Sequence, residues 1–343
     1  MLSRVPLRIV KRRVKESIVR FPLSTHVSRL LCPSMPRVLM YHRFSVRQDP
    51  EQRRVDAVSL DRQLAHLRKT STVWSLGDYL EALRIGRGIP KNLVVLTVDD
   101  GYRDFFDIAF PLLVKHQLPA TFFPVTDFVE QRAWLWHDKL DYIFLNTRKE
   151  QVTIRWRGVK YSLSLKSTNK RRLAWKTFSD LCVTLDSQEM ERLLTELARS
   201  TGVNVPAEAT DEYSPCSWAE LALMQNQGIE IGGHTRTHPI LTRIDDQALD
   251  SEIAGCKKVL ESKLSVTMKS FCYPNGAEAD VSDNVVAAVR RAGFIGAVVT
   301  YRKTPCFDPF RTSRLGSSEQ FDDFLWKVHG WEYLQSAWAQ PSR

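Results

Sequence analysis

Short apolar runs alternate with helical patterns along most of the chain. VLMY at 38–41 and LVVLTV at 93–98 have almost no polar residues, which is typical of strands buried on both faces of a parallel sheet. The predicted strands are Arg37–Tyr41, Leu93–Val98, Ala120–Val125, Ile229–Ile231, Ser270–Tyr273 and Ile295–Thr300. The predicted helices are Leu60–Leu67, Leu76–Leu83, Asp104–His116, 217–227, Asp246–Leu264 and Ser282–Ala292. This alternation predicts βα units around a parallel sheet.

The pattern changes between residues 130 and 215. Gln151–Leu165 alternates apolar and polar residues around Arg157 and Gly158, which predicts a β-hairpin, and two helical stretches follow. Ten basic residues and one acid lie between Arg148 and Lys176. We interpret this region as an insertion on the core domain, whose basic face is either a solvated surface or a site for an anionic substrate.

The first 32 residues are basic and amphipathic. They contain eight Lys or Arg residues and one acid, Glu16, and their apolar residues recur at spacings of three and four. Two alternatives stay open: a helix that lies in a membrane interface, or an ordinary helix packed on the domain. We assign residues 1–35 to a basic amphipathic N-terminal segment.

Composition and charge narrow the class of protein. Of 343 residues, 43% are hydrophobic and 26% are charged, as in soluble globular proteins. The net charge of +10 favours an anionic partner. The six cysteines form no CxxC pair, and no apolar run is long enough to cross a bilayer or to serve as a signal-peptide core. We expect a cytoplasmic protein, with peripheral contact to an anionic inner membrane left open.

Three segments with polar residues each lie at the C-terminal end of a predicted strand. They are TVDDG at 97–101, HTRTHP at 234–239 and FCYPNG at 271–276. Barrel enzymes place their active-site groups at this end of their strands. The three segments are therefore candidates for one site.

The residue types in these segments suit a metal-dependent hydrolase. Neighbouring side chains leave a strand in opposite directions, so of Asp99 and Asp100 one can bind a cation while the other acts as a base. His234 and His238, four residues apart, can bind one metal as neutral imidazoles. Taken alone, the Asp99-Asp100 pair is better explained as a surface turn. Taken alone, His234 and His238 are better explained as two unrelated surface histidines. Together they form an oxygen-nitrogen-nitrogen set that suits Zn²⁺, Fe²⁺, Co²⁺ or Ni²⁺.

The motifs in this order resemble a known family. TVDDGYRDFFDIAFPLLVKHQLPATFF and GIEIGGHTRTHPIL are similar to the NodB-homology segments of polysaccharide deacetylases, also called carbohydrate esterase family 4. YHRF at 41–44, FCYPNG and AGF at 292–294 fit as well. The resemblance implies an α/β fold, a distorted (β/α)7 barrel with an inserted α+β segment. We accordingly divide the chain into a barrel at 36–129 and 216–320, an insertion at 130–215 and a tail at 321–343.

The same resemblance implies a role for each motif residue. Asp100, His234 and His238 match the family's metal ligands, and Asp99 matches its general base. The backbone N–H of Tyr273 lies where the family supplies an oxyanion donor. The implied cofactor is a divalent metal ion, with Zn²⁺ as our first expectation. The implied activity is removal of N-acetyl groups from amino sugars of a polysaccharide or a lipid-linked glycan.

Two positions depart from the family's pattern. The arginine usually found before the Pro-Tyr-type motif is absent, and Arg311 or Arg314 could replace it. The catalytic acid is either His42 in YHRF or His329 in WKVHGW. We favour His42 because it ends a predicted barrel strand. His116 in a predicted helix and His137 in the insertion are less suited to this role.

Three other classes of protein compete with this interpretation. A related metal-dependent amidase or acetyl esterase acting on a non-sugar substrate would carry the same motifs. A nucleic-acid-binding protein would explain the charge, but the chain has no recognised nucleic-acid-binding motif and the Asp-His set would have no role. An inactive carbohydrate-binding barrel would not need Asp99, Asp100, His234 and His238. We therefore expect an N-acetylated glycan as the partner and no nucleic acid.

Overall fold

The computed structural model describes residues 15–19, 21, 27, 35–48, 54–132, 134–301 and 308–332. The strands are β1 Arg37–Tyr41, β2 Phe44–Ser45, β3 Val55–Asp56, β4 Thr72–Trp74, β5 Leu93–Asp100, β6 Thr121–Pro124, β7 Gln151–Trp156, β8 Val159–Ser164, β9 Glu230–Ile231, β10 Ser270–Cys272, β11 Gly296–Val299, β12 Thr312–Ser313 and β13 Leu315–Gly316. The helices are α1 Ala57–Thr70, α2 Leu76–Arg84, α3 Phe110–His116, α4 Thr126–Val129, α5 Trp136–Asn146, α6 Thr168–Cys182, α7 Ser187–Thr201, α8 Trp218–Asn226, α9 Asp246–Leu264, α10 Asp283–Arg291 and α11 Phe321–Val328.

Parallel strands form a ring with seven positions. One sheet has the order β13-β1-β5-β6-β9 and a second has the order β10-β11-β12. A parallel bridge between Gly233 and Phe271 joins the two sheets. Only Arg314 separates β12 from β13, so these two short strands act as one split seventh strand. The predicted distorted (β/α)7 barrel is thus confirmed.

β5 is a strand of this ring that is buried on both of its faces. All eight of its residues are buried between β1 on one side and β4 and β6 on the other. The surrounding helices turn one apolar face toward the strands, as α1 does with Leu60, Leu64 and Leu67. β5 therefore fixes where the Asp99-Asp100 pair emerges.

Two helix starts predicted from the sequence, at Leu76 and after Ser217, are confirmed. The Ser75 hydroxyl accepts a hydrogen bond from the Asp78 N–H at 3.1 Å and caps α2. Ser217 and Glu220 form a reciprocal capping box at the start of α8. Each cap supplies partners for N–H groups that the helix itself cannot satisfy.

One predicted helix differs from the observed one, and one strand position of the barrel was not predicted. The single helix expected at Asp104–His116 begins with a wider π turn at Phe105–Ala109 and continues as α3. Pro111 has no N–H to donate, which removes one helical hydrogen bond at this junction. The split strand at Thr312–Gly316 was not predicted, because five residues with an arginine inside form no recognisable apolar run.

Residues 130–215 build their own small unit. The predicted hairpin is present as antiparallel β7 and β8, and both turn residues, Arg157 and Gly158, have positive φ angles. Apolar residues between Leu140 and Leu197 form a cluster separate from the barrel core. The first helix of this unit, α5, was not predicted, and it carries residues to the candidate site described below.

The described part of the N-terminal segment packs on the barrel. Residues 15–19 are helical, and Val19 is buried in the main apolar cluster. The Lys15 ammonium lies 2.5 Å from the Asp323 carboxylate and 5.3 Å from the Trp326 ring centroid on α11. α11, which begins the predicted tail, buries Phe324 among other residues in the same cluster. None of the described helices is both long enough and apolar enough to cross a bilayer.

Candidate active site

Strand register brings the three polar segments to one rim of the barrel. Tyr41 at the end of β1 pairs with Val98, so the next residues, His42 and Asp99, lie side by side. Asp100 pairs with Pro124 at the end of β6. The segment after β9 brings His234 and His238 to the same end, beside β10. The prediction that these segments share one site is supported by this geometry.

Asp100, His234 and His238 have the spacing of a metal site. The Oδ1 atom of Asp100 lies 3.4 Å from the Nε2 atom of His234 and 3.6 Å from that of His238. Tetrahedral coordination with bonds of about 2.1 Å places neighbouring ligand atoms about 3.4 Å apart. All three side chains are buried, and their ligand atoms lie within 4.8 Å of one another. These distances make the three side chains a candidate site for a divalent ion.

Local hydrogen bonds and backbone geometry orient these ligands. The Nδ1 atom of His234 lies 2.8 Å from the Cys272 carbonyl oxygen, to which it donates, so Nε2 faces the site. Asp100, Thr235 and His238 have φ angles of 77°, 64° and 61°. Such left-handed conformations in residues other than glycine cost of order 1–3 kcal/mol each and are concentrated at functional sites. The Thr235 hydroxyl accepts the N–H of His238 at 3.0 Å and supports the turn.

A second group of possible ligands, Asp99, His234 and Cys272, fits a cation poorly. The guanidinium of Arg314 lies 2.7 Å from the Asp99 carboxylate and 3.2 Å from the Cys272 sulfur. This buried positive charge repels a metal ion placed there. Asp99 is thereby left for another role.

Arg314 sets the ionisation of Asp99. Burial alone would raise the pKa of Asp99, but the charges of Arg314 and His42 and the Arg314 hydrogen bond hold it below its ordinary value. The sequence left Arg311 and Arg314 as alternatives for this charge. Arg311 pairs instead with Asp308 and Asp283, so Arg314 is the arginine at the site.

His42 and His329 lie in different places. The His42 Nε2 atom lies 3.6 Å from the Asp99 carboxylate, and its side chain is half exposed at the rim. The His329 ring is buried beside the His66 ring of α1, with centroids 5.6 Å apart. Of the two candidates for the acid, His42 is the one that faces Asp99.

The insertion adds His137, which the sequence interpretation considered only as a less suited candidate for the acid. Its Nε2 atom lies 3.8 Å from Oδ2 of Asp100, and its ring centroid lies 5.4 Å from that of His238. Burial lowers the pKa of His137 to about 4. No spacing rule links it to the barrel motifs; the aromatic and acidic neighbours in WHD at 136–138 were the only sequence signal.

Tyr273 directly follows β10, whose Cys272 carbonyl accepts the hydrogen bond from His234. Its N–H donates a long hydrogen bond, 3.4 Å, to the Val298 carbonyl on β11. The side chain is buried behind Phe271. The oxyanion role of this N–H stays a prediction, and it requires the N–H to exchange a weak partner for the substrate.

Comparison with known proteins identifies relatives of this chain. The family model described as polysaccharide deacetylase matches residues 86–297, more than half of the chain. The poly-beta-1,6-N-acetyl-D-glucosamine N-deacetylase of Escherichia coli K12 is 40% identical over 76 residues, which are 22% of this chain and 11% of that protein. The match thus spans about a ninth of the length of the curated relatives.

Solved structures share the fold. The deacetylase PplD of Streptococcus pyogenes, solved with acetate, superposes with a TM-score of 0.56 at 16% identity, over 85% of this chain and 97% of that chain. IcaB of Ammonifex degensii superposes with a TM-score of 0.52 at 18% identity, over 86% and 96% of the two chains. At this level of identity the likeness concerns the fold.

Proposed function

The chain belongs to the polysaccharide deacetylase family, and on that premise we propose that it is a metal-dependent hydrolase that removes N-acetyl groups from amino sugars. One observation carries the proposal: the Asp100, His234 and His238 set lies beside an Asp99 carboxylate held by Arg314. A metal site next to an ionised base is what hydrolysis of an amide requires. Zn²⁺ is the metal we propose, since a tetrahedral set of one oxygen and two nitrogens suits it.

Each side chain has a distinct part in this mechanism. A divalent ion bound by the three ligands would polarise the amide carbonyl and make a water molecule more acidic. Asp99, kept ionised by Arg314, accepts the proton of the attacking water. The Tyr273 N–H donates to the oxygen that becomes negative. His42 then donates a proton to the departing nitrogen, and the products are acetate and a free amino sugar.

The substrate we propose is an N-acetylated glycan, either a polysaccharide or a lipid-linked precursor. The printed name of the curated E. coli relative, an N-acetylglucosamine polymer deacetylase, supports this class. Purified protein loaded with Zn²⁺ should release acetate from N-acetylglucosamine oligomers, measured by an enzyme-coupled acetate assay. Hydrolysis of simple acetyl esters or non-sugar amides, with no release from any oligomer, would favour the alternative amidase or esterase.

We expect His42→Ala to lower kcat strongly while metal content stays unchanged. An amine leaves readily only if it is protonated, and His42 is the histidine beside Asp99. The variant should also lose the alkaline limb of the pH-rate profile, because that limb reports loss of the acid's proton. His329→Ala is the matched control and should change kcat little. The opposite ranking of the two variants would place the acid at the C-terminal end.

We further propose that the protein is cytoplasmic and contacts the anionic inner membrane through its N-terminal segment. The basic residues of 1–32 and the net charge of +10 support this. Sedimentation with vesicles containing anionic lipid should recover more full-length protein than protein lacking residues 1–32. If circular dichroism shows that both proteins are folded and the vesicles recover them equally, residues 1–32 do not bind the protein to the membrane.

A further inference from the structure

The candidate site has a closed floor and two histidines at its rim. The floor residues are each at most 5% exposed: Asp99, Asp100, His234 and His238. The His42 side chain is 45% exposed and the His137 side chain 24% exposed. His42 faces Asp99, whereas His137 faces Asp100. Of these six residues, His42 and His137 are therefore the two that a substrate reaching the floor can contact at the rim.

The His137 ring is held firmly in place. The Tyr102 hydroxyl lies 3.0 Å from Nε2 of His137 and 2.8 Å from both carboxylate oxygens of Asp138. Tyr102 comes two residues after Asp100, the last residue of β5, so the insertion is tied directly to the segment that follows the Asp99-Asp100 pair. The Trp136 and His238 rings each meet the His137 ring edge to face at 5.4 Å. These contacts fix the position of the ring beside Asp100.

His137 is poorly placed to be a fourth metal ligand. It faces Oδ2 of Asp100, whereas His234 and His238 both face Oδ1. Its Nε2 atom, which is the nearer nitrogen, is already bonded to Tyr102. A metal held by the other three ligand atoms would have to draw His137 away from this hydrogen bond.

The shape of an amide shows what His137 would touch. The carbonyl carbon bears three substituents in one plane, pointing away from one another. In the proposed reaction the oxygen points to the metal ligands and the nitrogen points to His42. The third substituent, the acyl chain, then points away from His42, and the other histidine at the rim is His137, which faces Asp100 and not Asp99.

We propose that His137 is the wall that limits the length of the acyl group, so that the site accepts acetyl and rejects longer chains. This inference rests on the proposed function, because it takes the amine to leave on the His42 side. It gives the insertion a role in the reaction. The barrel supplies the chemistry, and the insertion sets which acyl group fits.

A series of substrates with acyl chains of increasing length tests the proposed role of His137 directly. N-acetyl, N-propionyl and N-butyryl glucosamine oligomers are compared in wild type, His137→Ala, His137→Gln and His137→Trp. One methylene in a closed pocket changes kcat/KM by about 10- to 200-fold. The butyryl-to-acetyl ratio should therefore rise at least about tenfold in His137→Ala, stay near wild type in His137→Gln and fall in His137→Trp. His116→Ala, a histidine paired with Asp61 on the outer surface, is the control and should leave the ratio unchanged.

Two binding measurements separate this role from others. Zn²⁺ affinity, measured by chelator competition, should fall by less than about tenfold in His137→Ala. Removing even an outer hydrogen-bond partner of a metal ligand costs about 10- to 100-fold, and in this proposal His137 is neither a ligand nor such a partner. Calorimetry with acetate and butyrate should show that butyrate binds the zinc-loaded His137→Ala protein and not wild type.

Several outcomes would overturn the proposal. The first is a wild type that cleaves butyryl substrates as well as acetyl substrates. The second is an unchanged butyryl-to-acetyl ratio in His137→Ala and His137→Trp. The third is a loss of Zn²⁺ affinity of about tenfold or more in His137→Ala, which would indicate that His137 is a ligand. If the wild type cleaves no glycan, the proposed function fails separately. The same comparison made with nitrophenyl acetate and butyrate would still decide whether His137 limits acyl length.

Discussion

Replacing Asp100 by alanine is expected to remove bound metal and activity together. Asp100 supplies the only carboxylate oxygen that lies between His234 and His238 among the described residues. Without it, two imidazoles remain, and affinity should fall by more than the roughly 10- to 100-fold loss seen when only an outer partner is removed. Metal analysis of the purified variant and acetate release measure the two effects.

His234→Ala and His238→Ala should behave in the same way. Asp100→Asn is the companion variant, because asparagine tolerates the φ of 77° at this position and keeps the side chain's shape. His116→Ala, on the outer surface, is the control and should retain full metal. Full metal occupancy in all three alanine variants would contradict the proposed ligand set.

Metal binding should also release protons. Burial opposes a charge on His234, but Cys272 and the Asp100 carboxylate outweigh it and raise the pKa of His234 well above its ordinary value. Burial instead lowers the pKa of His238 to about 3. Because a metal ion binds the neutral imidazole of His234, metal affinity should fall as the pH falls. Calorimetry in buffers of different ionisation enthalpy counts the protons released.

Asp99→Asn is expected to keep its metal and lose most of its turnover. The asparagine has the same shape but cannot accept the proton of the attacking water. A positioned base contributes about 10²- to 10⁴-fold to the rate, so kcat should fall by that factor while metal content stays at one per chain. A near wild-type kcat would show that another group is the base.

Arg314 variants test how that base is held. Arg314 keeps the pKa of Asp99 low, so Arg314→Met should raise it and move the acid limb of the pH-rate profile to higher pH. Activity near pH 5 would then be lost before activity near pH 8. Arg314→Lys retains the charge and should shift the limb less. An unshifted acid limb in Arg314→Met, with the protein folded, would show that this limb does not report Asp99.

Much of the fold follows from sequence-local patterns. The apolar run at β5 can be satisfied only inside a sheet, and the Ser75 and Ser217 caps mark where helices begin. The segments that follow β5 and β9 indicated a shared rim, because parallel strands end at one edge. These features can be predicted because they depend on residues that are close together in the sequence.

Other features depend on contacts between residues far apart in the chain. Arg314 reaches Asp99 across 215 positions, and the two-residue strands around it have no pattern of their own. His137 lies 3.8 Å from Asp100, and the neighbouring Asp138 accepts a hydrogen bond from Tyr102, which holds α5 against the segment after β5. The choice between Arg311 and Arg314 likewise needed the tertiary structure, whereas His42 was already favoured over His329 because it ends a predicted strand. Residue types determined the chemistry available to this protein, whereas the closure of the barrel and the docking of the insertion decided which of those residues meet.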